Sequence, residues 1–289
     1  MTVKAVFFKK HIARSKAGDI TMILCLVFLG VIMMLPMVLA ISTSMKPSSE
    51  MWVFPPRFFA RNPTLRNYTD LFALMSSSWA PFSRYIINTL FITGAGTTGH
   101  ILLASMCAYP LAMYRFPGSK AFFTLVRTSL MFSGAVVSIP AFLIISRLRL
   151  LDTSMSLIIP AFGSSLGLFL MKQFMEQSVP HTVLESAVMD GAGELCIFFR
   201  MVMPMVKPAW LTLMIFSVQS LWGIGNTPYI FSEQKKTLPY AMSQIQAGGI
   251  ARAGVGAAVA VLMMLVPLSI FIISQSNIIE TMSTSGIKE

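Results

Sequence analysis

The sequence predicts an all-α, polytopic membrane protein that crosses the bilayer six times. Three observations predict it. Only 11% of the 289 residues are charged, against about 25% in globular proteins. Hydrophobic residues make up 55% of the chain, and the mean hydropathy is +0.72. Six apolar runs reach the roughly 20 residues that a helix needs to cross the hydrocarbon core. Each would satisfy its own backbone hydrogen bonds, as a span in lipid must.

The first predicted helix covers about 20–44. The basic stretch 4–16 precedes it, and the run is longer than the apolar core of about 7–15 residues in a signal peptide. It therefore reads as a retained span with a cytoplasmic N-terminus. The second covers about 85–113, between Arg84 and Arg115. The third covers about 121–145, with Arg127 in its first two turns, where the side chain can snorkel to the interface. The fourth covers about 154–171, between Asp152 and Lys172. The fifth covers about 209–231, and the sixth about 254–279, between Arg252 and Glu280. Six spans put both termini on one side, and the basic N-terminus marks that side as the cytoplasm. Beyond the N-terminal segment the positive-inside signal is flat. The outer segments are then 46–84, 146–153 and 232–253. The first carries Trp52, Phe54, Pro55, Pro56, Phe58 and Phe59, a composition suited to a cap at headgroup level. Residues 1–19 and 281–289 form cytoplasmic ends around a membrane domain, 20–280.

The net charge of +11 does not point to nucleic acid, because Lys and Arg are scattered over the loops and form no basic face. Cys25, Cys107 and Cys196 are far apart and show no metal or disulfide spacing. Gly94-Ala95-Gly96-Thr97-Thr98-Gly99 matches a dinucleotide fingerprint, but it sits inside an apolar run with His100 where a phosphate loop would carry Lys. Close helix packing suits it better, as it does Gly163-Ser164-Ser165-Leu166-Gly167. His11, His100 and His181 fall in separate regions. No nucleophile–base motif and no paired intramembrane carboxylates occur, so neither an enzyme nor an ion-coupled carrier has a visible site. No metal site and no cofactor of its own are expected. The 23 methionines are spread through the spans and suit irregular packing. Gln219, Trp222 and Asn226 recur on one face of the fifth helix, near Tyr229. Amides and rings together suit a sugar; hydrogen-bonded glue between helices is the alternative.

The most polar long segment between two spans is about 176–208, with Glu185, Asp190, Glu194, Arg200 and Lys207. It reads as two short helices joined at Asp190-Gly191, where glycine permits a positive φ. A charged loop of this size is a docking element.

Its residues resemble the "EAA" loop of ABC-importer permease subunits. Glu185-Ser186-Ala187 is followed by Asp190-Gly191-Ala192, then by Met201, Met203 and Pro204. Ser186 replaces an alanine of that pattern, and Met201 and Met203 replace isoleucine and leucine. Further short matches follow the family's order: Ser44-Met45-Lys46-Pro47, Asn62-Pro63-Thr64-Leu65-Arg66-Asn67-Tyr68 and Asn88-Thr89. Arg115-Phe116-Pro117-Gly118, Ile139-Pro140, Leu150-Leu151-Asp152-Thr153 and Gly286-Ile287-Lys288 continue it. Together they are similar to the carbohydrate branch, resembling the maltose-system G-type permease. Trp222-Gly223 departs from the Trp-Asn of many relatives.

The resemblance implies a type I ABC importer permease architecture in a prokaryotic cell membrane. Its partners would be a second, different permease subunit, two ATPase subunits that bind ATP and Mg, and an extracytoplasmic solute-binding protein. Glu185, Ser186, Ala187, Asp190, Gly191, Ala192 and Pro204 would dock on the ATPase, and Lys235 and Lys236 would meet the binding protein. The cargo would be an oligosaccharide or modified sugar, carried by alternating access.

Overall fold

The computed structural model describes residues 16–76, 80–132, 134–249 and 252–285. Residues 1–15, with His11, and the closing Gly286-Ile287-Lys288 lie outside the described residues. Every regular element described is helical. Four helices are long and apolar enough to cross a membrane, and two bent pairs bring the number to six if each pair is one span.

Helix α1 (Lys16–Ser44) is apolar on all sides, and its most apolar window has no buried residue. It touches α14 (Ala253–Ser285), its last turn is buried at Ser42 and Ser44 against the outer segment, and most of the rest is exposed. An exposed helix that is hydrophobic all round belongs in lipid or against another chain. The outer segment after it is ordered by hydrogen bonds. Asn67, on α3 (Arg66–Ser76), donates from Nδ2 to the carbonyls of Ser44 and Lys46, both at 2.8 Å. Glu50, on α2 (Ser48–Met51), accepts from the N–H groups of Arg61 and Asn62.

The centre of the fold is α4 (Phe82–Met113), 32 residues and therefore about 48 Å long. Helices α7 (Met155–Phe162), α8 (Ser165–Ser178) and α12 (Lys207–Trp222) pack on it. Small residues permit the approach: a Cβ on Gly96 would meet Leu221 at 2.6 Å, and one on Gly99 would collide with the Phe162 ring. Gly94 faces open space, so the glycine run serves packing at two of its three positions.

The single third helix expected over 121–145 is replaced by two. Helices α5 (Ser119–Ser129) and α6 (Gly134–Arg147) are bent by 111°. Near the break, Ser129 Oγ donates to the Val126 carbonyl and to Ser165 Oγ at 2.6 Å. Such back-bonding offers the backbone an alternative to continuing the helix. Arg127 therefore lies in the last turn of α5, over the Phe123 ring. The fourth span runs through a break at Gly163-Ser164 and ends at Ser178, two turns beyond the expected end. Helix α9 (His181–Met189) follows, then α10 (Glu194–Ile197), a π-helical turn Phe198–Val202 and α11 (Met203–Met205). This run meets α12 at 79°. Helix α12 ends at Trp222 instead of continuing to residue 231. Gly223, Gly225 and Pro228 follow closely, and none favours a helix interior. Helix α13 (Leu238–Gln246) lies in the outer loop, and α14 continues to Ser285, into the segment expected as a tail.

Three buried clusters hold the fold. One joins the C-terminal half of α4 to α8 and the polar loop, one joins α3, α12, α13 and α14, and a smaller one joins α4, α7 and α12.

Candidate functional site

The polar loop turns where the sequence predicts it. Gly191 has φ +79°. Ala192 N–H reaches the Ala187 carbonyl, and Gly191 N–H reaches the Val188 carbonyl, both at 3.0 Å. This is the six-to-one and five-to-two bonding of a Schellman end, which satisfies the last carbonyls of α9. Leu184 and Ala187 point inward and pack in the cluster with Ile197, Phe198 and Val202, and Ala192 packs against it. Ala187 and Ala192 thus seat the loop on this chain's own core. Glu185, Ser186, Val188, Met189 and Asp190 face outward, with Met189 87% exposed. Leu195 and Phe199 extend the exposed apolar surface. Pro204 is exposed in α11, and the turn falls two residues later at Val206.

An open groove of about 550 Å³ runs beside α9, lined by Met113, Tyr114, His181, Leu184, Glu185, Val188 and Met189. One wall belongs to the loop and the other to the end of α4. The same two elements are joined by hydrogen bonds. Tyr114 OH shares its one proton between the two Glu194 carboxylate oxygens, at 2.8 and 2.9 Å, and Tyr109 OH donates to Oε2 at 3.1 Å. Desolvation of its hydroxyl, reinforced by the Glu194 carboxylate, pushes the Tyr114 phenol up.

The predicted pathway residues are not brought together. Because α12 stops at Trp222, the helical face expected for Gln219, Trp222 and Asn226 does not form. Trp222 is buried, and its Nε1 donates to the Met263 carbonyl on α14 at 2.9 Å. Tyr229 stacks on Phe142, with centroids 6.2 Å apart. Asn226 is exposed in the following loop, and Gln219 and Ser220 are exposed on α12. Ser220 also lines a cavity of about 170 Å³ with His100, Ser164 and Ser217. Trp222→Phe is expected to lower stability by about 1 kcal/mol, the value of one buried hydrogen bond, and to leave solute preference unchanged. Thermal unfolding in detergent and competition uptake assays check both halves.

The outer loop between α12 and α14 is tied down. Asp152, at φ +57°, accepts from Ser232 Oγ at 2.5 Å and Ser232 N–H at 2.9 Å. It also accepts from Phe231 N–H at 3.1 Å and Lys235 Nζ at 3.0 Å. Lys236 Nζ pairs with Glu233 at 2.8 Å and donates to Tyr240 OH at 2.7 Å. Glu233 accepts from Tyr85 OH, and Asn88 Nδ2 donates to the carbonyls of Gln234 and Lys236. Both lysines predicted as partner contacts therefore hold ion pairs, Lys236 within the loop and Lys235 with Asp152 of the outer segment before α7.

The Ser232 hydroxyl first, then the other donors, hold the Asp152 carboxyl well below the usual carboxylate range. Its folded pKa is the lowered one. The contribution is thus fully present above the ordinary value of about 4 and is lost as pH falls below it. Asp152→Asn is expected to lower Tm at neutral pH and to flatten the fall of Tm below about pH 4. A series of melts across that range checks it.

Sequence reasoning assigned no role to Asn67, Asn88 or Asp152, although each lies in a short motif that it singled out. Tyr109 and Tyr114 carried no sequence signal. Among the described residues, no group of three or more His, Cys, Asp or Glu is placed to hold a metal.

A family model described as "Binding-protein-dependent transport system inner membrane component" matches residues 100–282. Protein LplC of Bacillus subtilis is 32% identical over 72% of this chain and 69% of its own length. The melibiose/raffinose/stachyose import permease protein MelC of the same organism is 27% identical over 88% of this chain and 91% of its own. A crystal structure of a bacterial ABC transporter involved in the import of the acidic polysaccharide alginate contains a chain that matches with TM-score 0.75. That match covers 91% of this chain and 98% of that one at 22% identity, a likeness of fold.

Proposed function

The chain belongs to the family of binding-protein-dependent transport system inner membrane components, and from that premise we propose how its surfaces divide the work. It is a permease subunit of an ABC transporter in the cell membrane and not an enzyme. The cargo is a carbohydrate, an oligosaccharide or a modified sugar. The melibiose/raffinose/stachyose permease supports that class, and the exposed amide and hydroxyl of Gln219 and Ser220 on α12 suit sugar hydroxyls.

The observation that carries the mechanism is the closed turn of α9 with Glu185, Val188 and Met189 outward beside an open groove. Within the loop 176–208, the outward face of α9 and its turn form the docking surface for an ATPase subunit. Glu185, Ser186 and Asp190 offer it polar contacts, Ala187, Gly191 and Ala192 shape the turn, and Pro204 stands in the helix that returns to the membrane. ATP and Mg are bound by the ATPase partners, whose closure biases two conformations of the pathway. A second permease of different sequence completes the pathway. An extracytoplasmic binding protein approaches the outer loop at Lys235 and Lys236, where Asp152 holds the Lys235 ammonium and Asn88 holds the Lys236 carbonyl. The membrane domain is 20–280, with residues 1–19 and 281–289 cytoplasmic.

The test is purification of the tagged chain from its native membranes in mild detergent, with mass spectrometry of what accompanies it. A second permease, an ATPase subunit and a solute-binding protein are expected. Recovery of this chain alone, transporting solute by itself after reconstitution, would overturn the docking reading.

A further inference from the structure

Seating a partner on α9 moves α9; it does not by itself move a membrane span. The loop meets α4 mainly through apolar side chains, Leu184, Ala187, Ile197 and Phe198 among them. Apolar packing is non-directional, and such surfaces can slide. The directional tie is the Glu194 carboxylate, which takes one hydrogen bond from Tyr114, shared between its two oxygens, and one from Tyr109. Bonds to an ionised acceptor are the stronger kind.

The backbone builds this joint in two steps. Helix α4 ends at Met113, and Tyr114 is extended, with φ −115° and ψ 144°. That folds its ring edge-on to Tyr109, with centroids 5.7 Å apart, while Tyr109 leans on Phe198 at 5.5 Å. Tyr114 also lines the groove beside α9. One residue therefore touches the docking groove, the carboxylate of the loop and the end of the central helix.

We propose that Tyr109, Tyr114 and Glu194 form the strut that carries movement of the docked loop into α4. They are positioning residues for transport and touch neither solute nor nucleotide. The proposal rests on the reading of α9 and its turn as the ATPase docking surface. If the strut transmits force, breaking it leaves the partner docked and hydrolysing ATP while α4 no longer follows.

The test uses the whole importer in proteoliposomes, with solute uptake and ATP hydrolysis measured on the same preparation. The variants are Tyr109→Phe with Tyr114→Phe, which keep the rings, and Glu194→Ala. Glu194→Gln retains an acceptor oxygen. The expected result is a fall in solute carried per ATP on the order of tenfold, a typical size for coupling between sites, at unchanged assembly. Glu194→Gln recovers part of it, and combining the tyrosine pair with Glu194→Ala adds nothing further. A purely structural role predicts that uptake and hydrolysis fall together with the amount of assembled complex; that result overturns the proposal. Gly191→Val is the control. If Gly191→Val uncouples and the strut variants do not, the strut is wrong and the docking reading stands. If Gly191→Val leaves coupling intact, the docking reading falls and the strut with it.

Discussion

Gly191→Val is expected to lower coupled uptake by roughly tenfold or more, while Gly191→Asn retains a larger part of it. The reason is the backbone and not the space. A Cβ at residue 191 would meet nothing within 4 Å, but φ is +79°. A β-branched residue there is strained by about 1–2 kcal/mol, whereas asparagine is among the residues that tolerate this region. With valine, the Schellman bonds to Ala187 and Val188 are lost, α9 runs on or frays, and Glu185 and Met189 turn away from the groove. A change of that size corresponds to roughly tenfold or more in the population of the competent loop. Uptake per ATP hydrolysed, measured for all three proteins, separates this account from a steric one, in which asparagine would be as harmful as valine.

Gly167→Ala is expected to destabilise the folded chain by about 1–3 kcal/mol, the usual cost of overpacking. A Cβ there would overlap His100 Nε2 and sit 3.0 Å from both flanking ring carbons. The imidazole is 5% exposed between α4 and α8, so it has little room to withdraw. Removing the ring by His100→Ala enlarges the adjacent cavity and is itself destabilising, yet it frees the space that the added methyl at position 167 needs. The double variant should therefore be more stable than the sum of the two single changes. Gly163→Ala is the contrast: its Cβ would meet only the Pro160 carbonyl oxygen, at 3.7 Å, and its effect should be small. Thermal unfolding of the wild type, the two glycine variants, His100→Ala and the double variant in one detergent checks the cycle. Equal losses at 163 and 167 would contradict the assignment of close approach to one glycine alone.

The membrane class and the turn of the loop were legible in the sequence because each depends on local properties. Hydropathy is a sum over adjacent residues, and Asp190-Gly191 needs only a residue that accepts a positive φ. The fifth span was misread because hydropathy does not register the end of a helix. Residues 224–231 are apolar enough to continue a span, yet Gly223, Gly225 and Pro228 end the helix in this fold. Trp222 followed from that error. Its place on a helical face suggested contact with a sugar, but its indole is turned to the Met263 carbonyl on another helix.

The short motifs were recognisable, but the task of each was not. Ser44 and Lys46 receive Asn67, Asn88 holds the backbone of Gln234 and Lys236, and Asp152 holds Phe231, Ser232 and Lys235. Each of these residues is one half of a clasp whose other half lies in a different segment.

By itself, then, the sequence determined that this chain lies in a membrane, where four of its apolar helices fall and where its polar loop turns. Tertiary structure alone decided which of two glycines meets a histidine, which way Trp222 faces, and that Glu194 finds Tyr109 85 residues away and Tyr114 80 residues away. Hydropathy and backbone propensity act over a few residues and are written in order along the chain. A hydrogen bond between distant residues exists only once helix packing has placed donor and acceptor within about 3 Å of each other.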